Sequence, residues 1–175
     1  DAVIPGDKDL VYGESFLKSK LKIPWLLSNA KLSKVNLSKI KIKKLHNGLT
    51  VAMLALIDPN LYYGIKHNEG SIADPKESAQ KLIKKLKISE SPDLIVLLTH
   101  MKRDKALSML ELSGVDVVIN GHIENDTDII DMAKIETPGK IFVQPGPRGQ
   151  KMGELTIDID HKGKKLFKQR MISLD

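Results

Sequence analysis

LIVLLTHMKRDKALSMLELSGVDVVINGHIE, residues Leu94 to Glu124, is the stretch on which the fold turns. It opens on a continuous apolar run, Leu94 to Leu98. A run of that length reads as a strand buried on both faces. A helix is expected at about Asp104 to Leu112, followed by a second apolar strand, Val115 to Asn120. Strand, helix and strand in this order argue for an α/β fold with a buried sheet. Ligands in such folds sit beyond the carboxyl ends of the strands. Thr99-His100 follows the first strand and Gly121-His122 the second, so these are the positions to read for chemistry.

Working outward, Ile141 to Gln144 is a third strand of the same kind, followed by PGPRG, Pro145 to Gly149. Upstream, Asp74 and Pro75 are the N-cap and first residue of a helix with Ala79, Leu82, Ile83 and Leu86 on one face. Pro92-Asp93 breaks it. SKIKIKKLHNGLTVAMLALID, Ser38 to Asp58, reads as a hairpin, with Asn47-Gly48 expected in a type I′ turn. Pro24 to Ser28 is expected as another strand, Gly13 to Lys20 as a short helix, and Ala2 to Ile4 as a strand end that delivers the loop GDKD. Glu154 to Ile159 and Leu166 to Ile172 form a closing hairpin around HKGKK.

The chain has 175 residues, which suits one domain with a sizeable core. With 41% hydrophobic and 29% charged residues it reads as globular rather than disordered. No apolar run approaches the roughly 20 residues of a membrane-spanning helix, so no membrane insertion is expected. The absence of cysteine excludes disulfides, thiolate metal sites and a cysteine nucleophile within this chain. The net charge of +6 is compatible with anionic partners. Lys39, Lys41 and Lys43 alternate with Ile40 and Ile42, the pattern of the wet face of a half-buried strand. Aromatics are only 4%, too few for a stacking platform, so nucleic acid is not an expected partner. NDTDIID, Asn125 to Asp131, is acidic but lacks the glycine and distal glutamate of an EF-hand loop. Arg148 in PGPRG could bring positive charge to an anionic ligand.

His100, His122, Glu124, Asp7 and Asp9 stand at strand ends or in the first loop. Together they offer two imidazoles and up to three carboxylates, a set that suits Zn, Mn or Fe. The order of segments adds to this. DAVIPGDKDLVYG, IPWLLSNAKL, LIVLLTHM, VDVVINGHIE and VQPGPRGQKMGEL follow one another as do the Gly-Asn-His, Thr-His, Gly-His-x-His and Gln-x-Gly-x-x-Gly segments of a known family. The chain resembles the calcineurin-like metallophosphoesterases, in their 5′-nucleotidase branch, over nearly its whole length. The resemblance implies part of a four-layer α/β/β/α sandwich lacking its first strands. It also implies a single metallophosphoesterase-like domain over residues 1–175, truncated on its N-terminal side.

In that family two metal ions activate a bridging water for attack on phosphorus. By resemblance, Asp7 stands at the asparagine ligand, and His100 and His122 at two histidine ligands. Glu124 stands where the last histidine ligand belongs, and Asp9 matches the acidic residue closing the loop. Val11 replaces an aspartate. Lys8 stands at the catalytic histidine. A lysine side chain ordinarily titrates near 10.4 and, protonated, has no lone pair for a metal. Lys8 is therefore expected to be non-functional as a catalyst and to pair with Asp7, Asp9 or Glu124 as an internal counter-ion. The expected function is a degenerate, catalytically inactive domain with a structural role in a larger protein. The rival is a residual phosphoesterase holding one divalent ion on Asp7, His100 and His122. No other cofactor is expected. The resemblance further implies a periplasmic or extracellular setting. The expected partner is the missing N-terminal half or another module of the parent protein, multihaem cytochromes being among the modules joined to such domains.

Overall fold

The computed structural model describes residues 1–20, 22–61, 70–123, 135–146 and 149–174. A six-stranded sheet forms its centre, built from β2 (Lys41–Lys44), β3 (Thr50–Ile57), β5 (Leu94–His100), β6 (Val117–Asn120), β7 (Ile135–Thr137) and β8 (Lys140–Val143). Its order is β2-β3-β5-β6-β8-β7. The pairs β3-β5, β5-β6 and β6-β8 are parallel, and the two edge strands β2 and β7 run antiparallel to their neighbours. Helix α3 (Pro75–Ser89) joins β3 to β5, and α4 (Arg103–Ser108) joins β5 to β6.

Strand alternation sorts the core into two layers. Ala52, Leu54, Leu56, Ile95, Leu97, Val118 and Phe142 face the helices, where Ala79, Ile83, Leu86, Ala106 and Met109 meet them. Leu94, Val96, Val117, Ile141 and Val143 face the other way, onto Phe167. Phe167 belongs to the hairpin β9 (Lys151–Ile159) and β10 (Lys165–Ser173), a separate two-stranded sheet. Helix layer, sheet and second sheet are thus three successive layers of an α/β/β stack. The continuous apolar runs of the sequence are apolar because both faces of the central strands are covered.

A third cluster fastens the N-terminal segment to this frame. Leu10 of α1 (Asp7–Val11) and Leu17 of α2 (Gly13–Ser19) pack with Trp25, Leu27, Ala30, Val35 and Ile57, the last residue of β3. Leu10 thereby carries the start of α1 over the carboxyl ends of the parallel strands.

Three readings of local structure need correction. Pro24 to Ser28 is not a strand; Trp25 and Leu26 make single bridges to Val3 and Ser38. One backbone bond, from the Ser28 amide to the Ala55 carbonyl at 2.7 Å, joins this segment to the β3 edge, and side chains add to it. Ser28 Oγ accepts from the Ala55 amide at 2.8 Å, and Asn29 Oδ1 accepts from the Ile57 amide at 3.0 Å. The expected helix Asp104 to Leu112 divides into α4 and a 3-10 turn, Met109–Glu111. Lys140 Nζ, donating to the carbonyls of Leu110 and Leu112 at 2.7 and 3.0 Å, satisfies that end. Asn47-Gly48 is not a type I′ turn, because Gly48 has φ +88° while Asn47 is not in the positive-φ region. The Gly48 amide donates to Leu45 and the Leu45 amide to Leu49, a three-residue loop with its left-handed residue at glycine. Strands β1 (Ala30–Leu32), β4 (Gly70–Ile72) and β7 carried no reading in the sequence. Residues 124–134 and 147–148, with Glu124, the acidic run and Arg148, lie outside the described residues.

Candidate metal centre

Three of the parallel strands deliver polar groups at one end of the sheet. β5 ends at His100, β6 ends at Asn120 with His122 two residues on, and β8 is followed by Gln144. Asp7, the first residue of α1, comes down on this end from the N-terminal segment. His100 Nε2 lies 2.7 Å from Asp7 Oδ1, and His122 Nδ1 lies 3.2 Å from His100 Nε2. The two rings meet edge to face, centroids 4.8 Å apart. One ligand atom from each of Asp7, His100 and His122 falls within 4.8 Å of the other two. His100 and Asp7 are 15% and 16% exposed, sheltered yet reachable from solvent.

The arrangement fits a cation better than it fits a proton. His100 Nε2 faces both a carboxylate oxygen and a second imidazole nitrogen, and a single proton on it can serve only one well. Atoms about 2.0–2.1 Å from one tetrahedral zinc ion lie about 3.3 Å apart. The 3.2 Å between the imidazole nitrogens matches that spacing, and the 2.7 Å contact to Asp7 would open by about half an ångström. Two imidazoles and a carboxylate suit Zn, Mn or Fe. Burial pushes the Asp7 carboxyl upward. The hydrogen bond from His100, the charge His100 and His122 carry when protonated, and its own backbone amide outweigh it, holding the group below its ordinary 3.8. Asp7 is therefore a carboxylate, the form that ligates.

Gly6 makes the approach possible. A Cβ there would sit 2.9 Å from His100 Cε1, inside contact distance, so the imidazole lies flat against a bare backbone. Asp9 does not join the cluster. Its Oδ2 accepts from the Gly6 amide at 2.9 Å and secures the start of α1. Lys8 is exposed and forms no ion pair among the described residues, so the expected internal counter-ion is not seen there. His100 takes Asp7 and the Gly6 amide takes Asp9, while Glu124, the third expected partner, lies outside the described residues.

Sequence reasoning placed Thr99, Asn120 and Gln144 at strand ends but gave them no role as a polar layer beneath the histidines. Thr99, Asn120 and Gln144 are all buried, with exposures of 0%, 0% and 2%. Each closes an apolar run of a parallel strand, and that abrupt change is the signal that could have found them. Asp58 is a further buried acid at the end of β3; its Oδ1 is 2.9 Å from Lys105 Nζ.

No family model matches the chain. The trifunctional nucleotide phosphoesterase YfkN of Bacillus subtilis (strain 168) is 30% identical over 91 residues, 51% of this chain and 6% of that protein. Haemophilus influenzae NAD nucleotidase (NadN) superposes with a TM-score of 0.82 at 18% identity, over 99% of this chain and 39% of its own. The 5′-nucleotidase precursor of Thermus thermophilus gives 0.78 at 21% identity, over 98% and 38%. This chain has the fold of the 5′-nucleotidase-type metallophosphoesterases. The T. thermophilus sulfate thiohydrolase SoxB shares that fold, with a TM-score of 0.78 at 15% identity over 99% of this chain and 32% of its own. The chain thus spans two fifths or less of each of these relatives. Among the described residues no helix is long and apolar enough to cross a membrane.

Proposed function

We propose that this chain is the metal-ligating part of a phosphoesterase of 5′-nucleotidase type, and that Asp7, His100 and His122 hold one divalent cation, Zn, Mn or Fe. The observation that carries this reading is the convergence of three ligand atoms at the carboxyl ends of parallel strands. A divalent ion there supplies Lewis acidity toward a phosphoryl oxygen. Asp7 contributes a fixed negative charge, and the two imidazoles contribute neutral nitrogens whose orientation the strand ends set. The substrates named for the relatives, NAD, 5′-nucleotides and other nucleotide phosphoesters, support a nucleotide phosphoester as the ligand class.

Lys8 favours slow turnover. It occupies the position at which the family has its catalytic histidine, and an ammonium group is poorly matched to proton transfer near neutral pH. The second reading, a catalytically inactive domain with a structural role in a larger protein, rests on that same residue. The precursor form of the T. thermophilus relative supports a setting outside the cytoplasm.

The test is hydrolysis of nucleoside 5′-monophosphates by the full-length protein with Mn or Zn supplied. Slow, metal-dependent phosphate release that is lost in His122→Ala is the expected result. A protein that binds the metal yet releases no phosphate would move the conclusion to the structural reading.

A further inference from the structure

We infer that Asn120 is a positioning residue that sets the metal affinity and ligand geometry of the Asp7–His100–His122 cluster, an inference that rests on the metal-binding reading above. Its single amide group grips the backbone beside both histidines. Asn120 Nδ2 donates to the Met101 carbonyl at 3.0 Å, and Oδ1 receives the Met101 amide at 3.3 Å. Met101 directly follows His100. The same Nδ2 donates to the carbonyl of His122 itself at 3.2 Å. One buried side chain is therefore tied to the main chain at both histidine ligands.

Two neighbours lock the amide in that orientation. The Met101 amide, which can only donate, fixes Asn120 Oδ1 on that side, and Thr99 Oγ1 donates to the same oxygen at 3.0 Å. Gln144 Oε1 accepts from Asn120 Nδ2 at 3.2 Å, and Gln144 Nε2 donates to the His122 carbonyl at 3.2 Å. The His122 carbonyl thus receives two side-chain donors, one from β6 and one from the end of β8. The strands would pair without this network, because the β5-β6 and β6-β8 ladders are complete through Asn120 and Val143. What the network adds is a fixed peptide orientation just where the chain leaves the sheet toward each ligand. Ligand sets held by such outer hydrogen bonds lose about 10- to 100-fold in affinity when those bonds are removed.

The experiment is Co(II) titration of the full-length protein, read by the visible ligand-field spectrum, in wild type, Asn120→Ala, Gln144→Leu and Leu86→Ala. Leu86 lies in the helix-side core, away from the cluster, and controls for loss of stability alone. The expected result is a roughly 10- to 100-fold weaker affinity and an altered spectrum in Asn120→Ala. A smaller loss in the same direction is expected in Gln144→Leu, with wild-type affinity and spectrum in Leu86→Ala. If Asn120→Ala fails to fold, Gln144→Leu decides by the same two readouts. Wild-type affinity and spectrum in the folded variants would overturn the positioning role and leave the metal centre standing. A wild-type protein whose Co(II) spectrum does not change when His100 is replaced by Ala would overturn the metal centre, and this role with it.

Discussion

Asp7 and Glu14 stand seven residues apart on consecutive short helices and meet opposite fates. Glu14 is 1% exposed and answered entirely by the protein. Its Oε1 accepts from the Ser33 amide at 2.7 Å and the Ser33 hydroxyl at 3.0 Å. Its Oε2 accepts from the amides of Lys34 and Val35. Successive backbone N–H groups make a nest for an anion, and here the chain fills its own nest. Asp7 reaches no such nest; it faces two imidazoles that also face each other. A carboxylate whose lone pairs are met by fixed dipoles holds a fold together. A carboxylate that converges with other lone pairs leaves room for a cation.

The contrast can be broken from either side. The largest expected effect is on stability. Glu14→Ala removes the buried acceptor of three backbone amides and a hydroxyl, those of exposed Ser33 and Lys34 and of buried Val35, and should lower unfolding free energy by about 3 kcal/mol. Urea denaturation measures this, and metal content per folded molecule should be unchanged. Asp7→Ala should do the reverse. It should weaken divalent-ion binding by more than about a hundredfold, beyond what loss of an outer-layer bond costs. Its unfolding free energy should stay within about 1 kcal/mol of wild type, the usual worth of one partly exposed hydrogen bond. Equal stability losses in the two variants would erase the distinction.

Acid should separate the pair as well. Burial pushes the Glu14 carboxyl up, but the amides of Ser33, Lys34 and Val35 and the Ser33 hydroxyl outweigh it and hold the group below its ordinary 4.5. A group depressed in the folded state stabilises fully above its unfolded pKa, and that stability is lost as pH falls through the folded value. Urea midpoints should therefore fall below about pH 4.5 in wild type, and fall less steeply in Glu14→Gln. A parallel pH dependence in the two would show that Glu14 is not the group responsible.

Gly6→Ala sharpens the comparison on the ligand side. The new methyl group meets His100, so the ring must shift, and about a tenfold loss of ion affinity is expected with little change in the unfolding midpoint. Lys8→Ala should be the mildest, within about 0.5 kcal/mol of wild type, as for an exposed residue with no partner among the described residues. A Lys8→Ala variant destabilised by several times that amount would restore the counter-ion reading.

The parallel strands were legible because both of their faces are buried, which leaves apolar runs that have one reading. Helix α3 was legible because Asp74 caps it and its side chain accepts from the Glu77 amide at 2.9 Å. Strands β1, β4 and β7 were not, since three residues each carry too little periodicity to register. In the site, His100, His122 and Asp7 could be named from residue type, strand-end position and family resemblance. The role of Glu14 could not, because its partners lie about twenty residues away and are backbone groups that every residue possesses. That Lys8 pairs with neither Asp7 nor Asp9 was not legible for a related reason. Adjacency in sequence to Asp7 and Asp9 says nothing about which partner reaches them first in space.

The most direct measurement is metal stoichiometry by elemental mass spectrometry on the full-length protein, purified without chelator and then offered Mn and Zn, beside His100→Ala. One divalent ion per chain more in wild type than in His100→Ala is the expected result. Equal metal content in the two, whether none or some, would contradict a centre built on Asp7, His100 and His122.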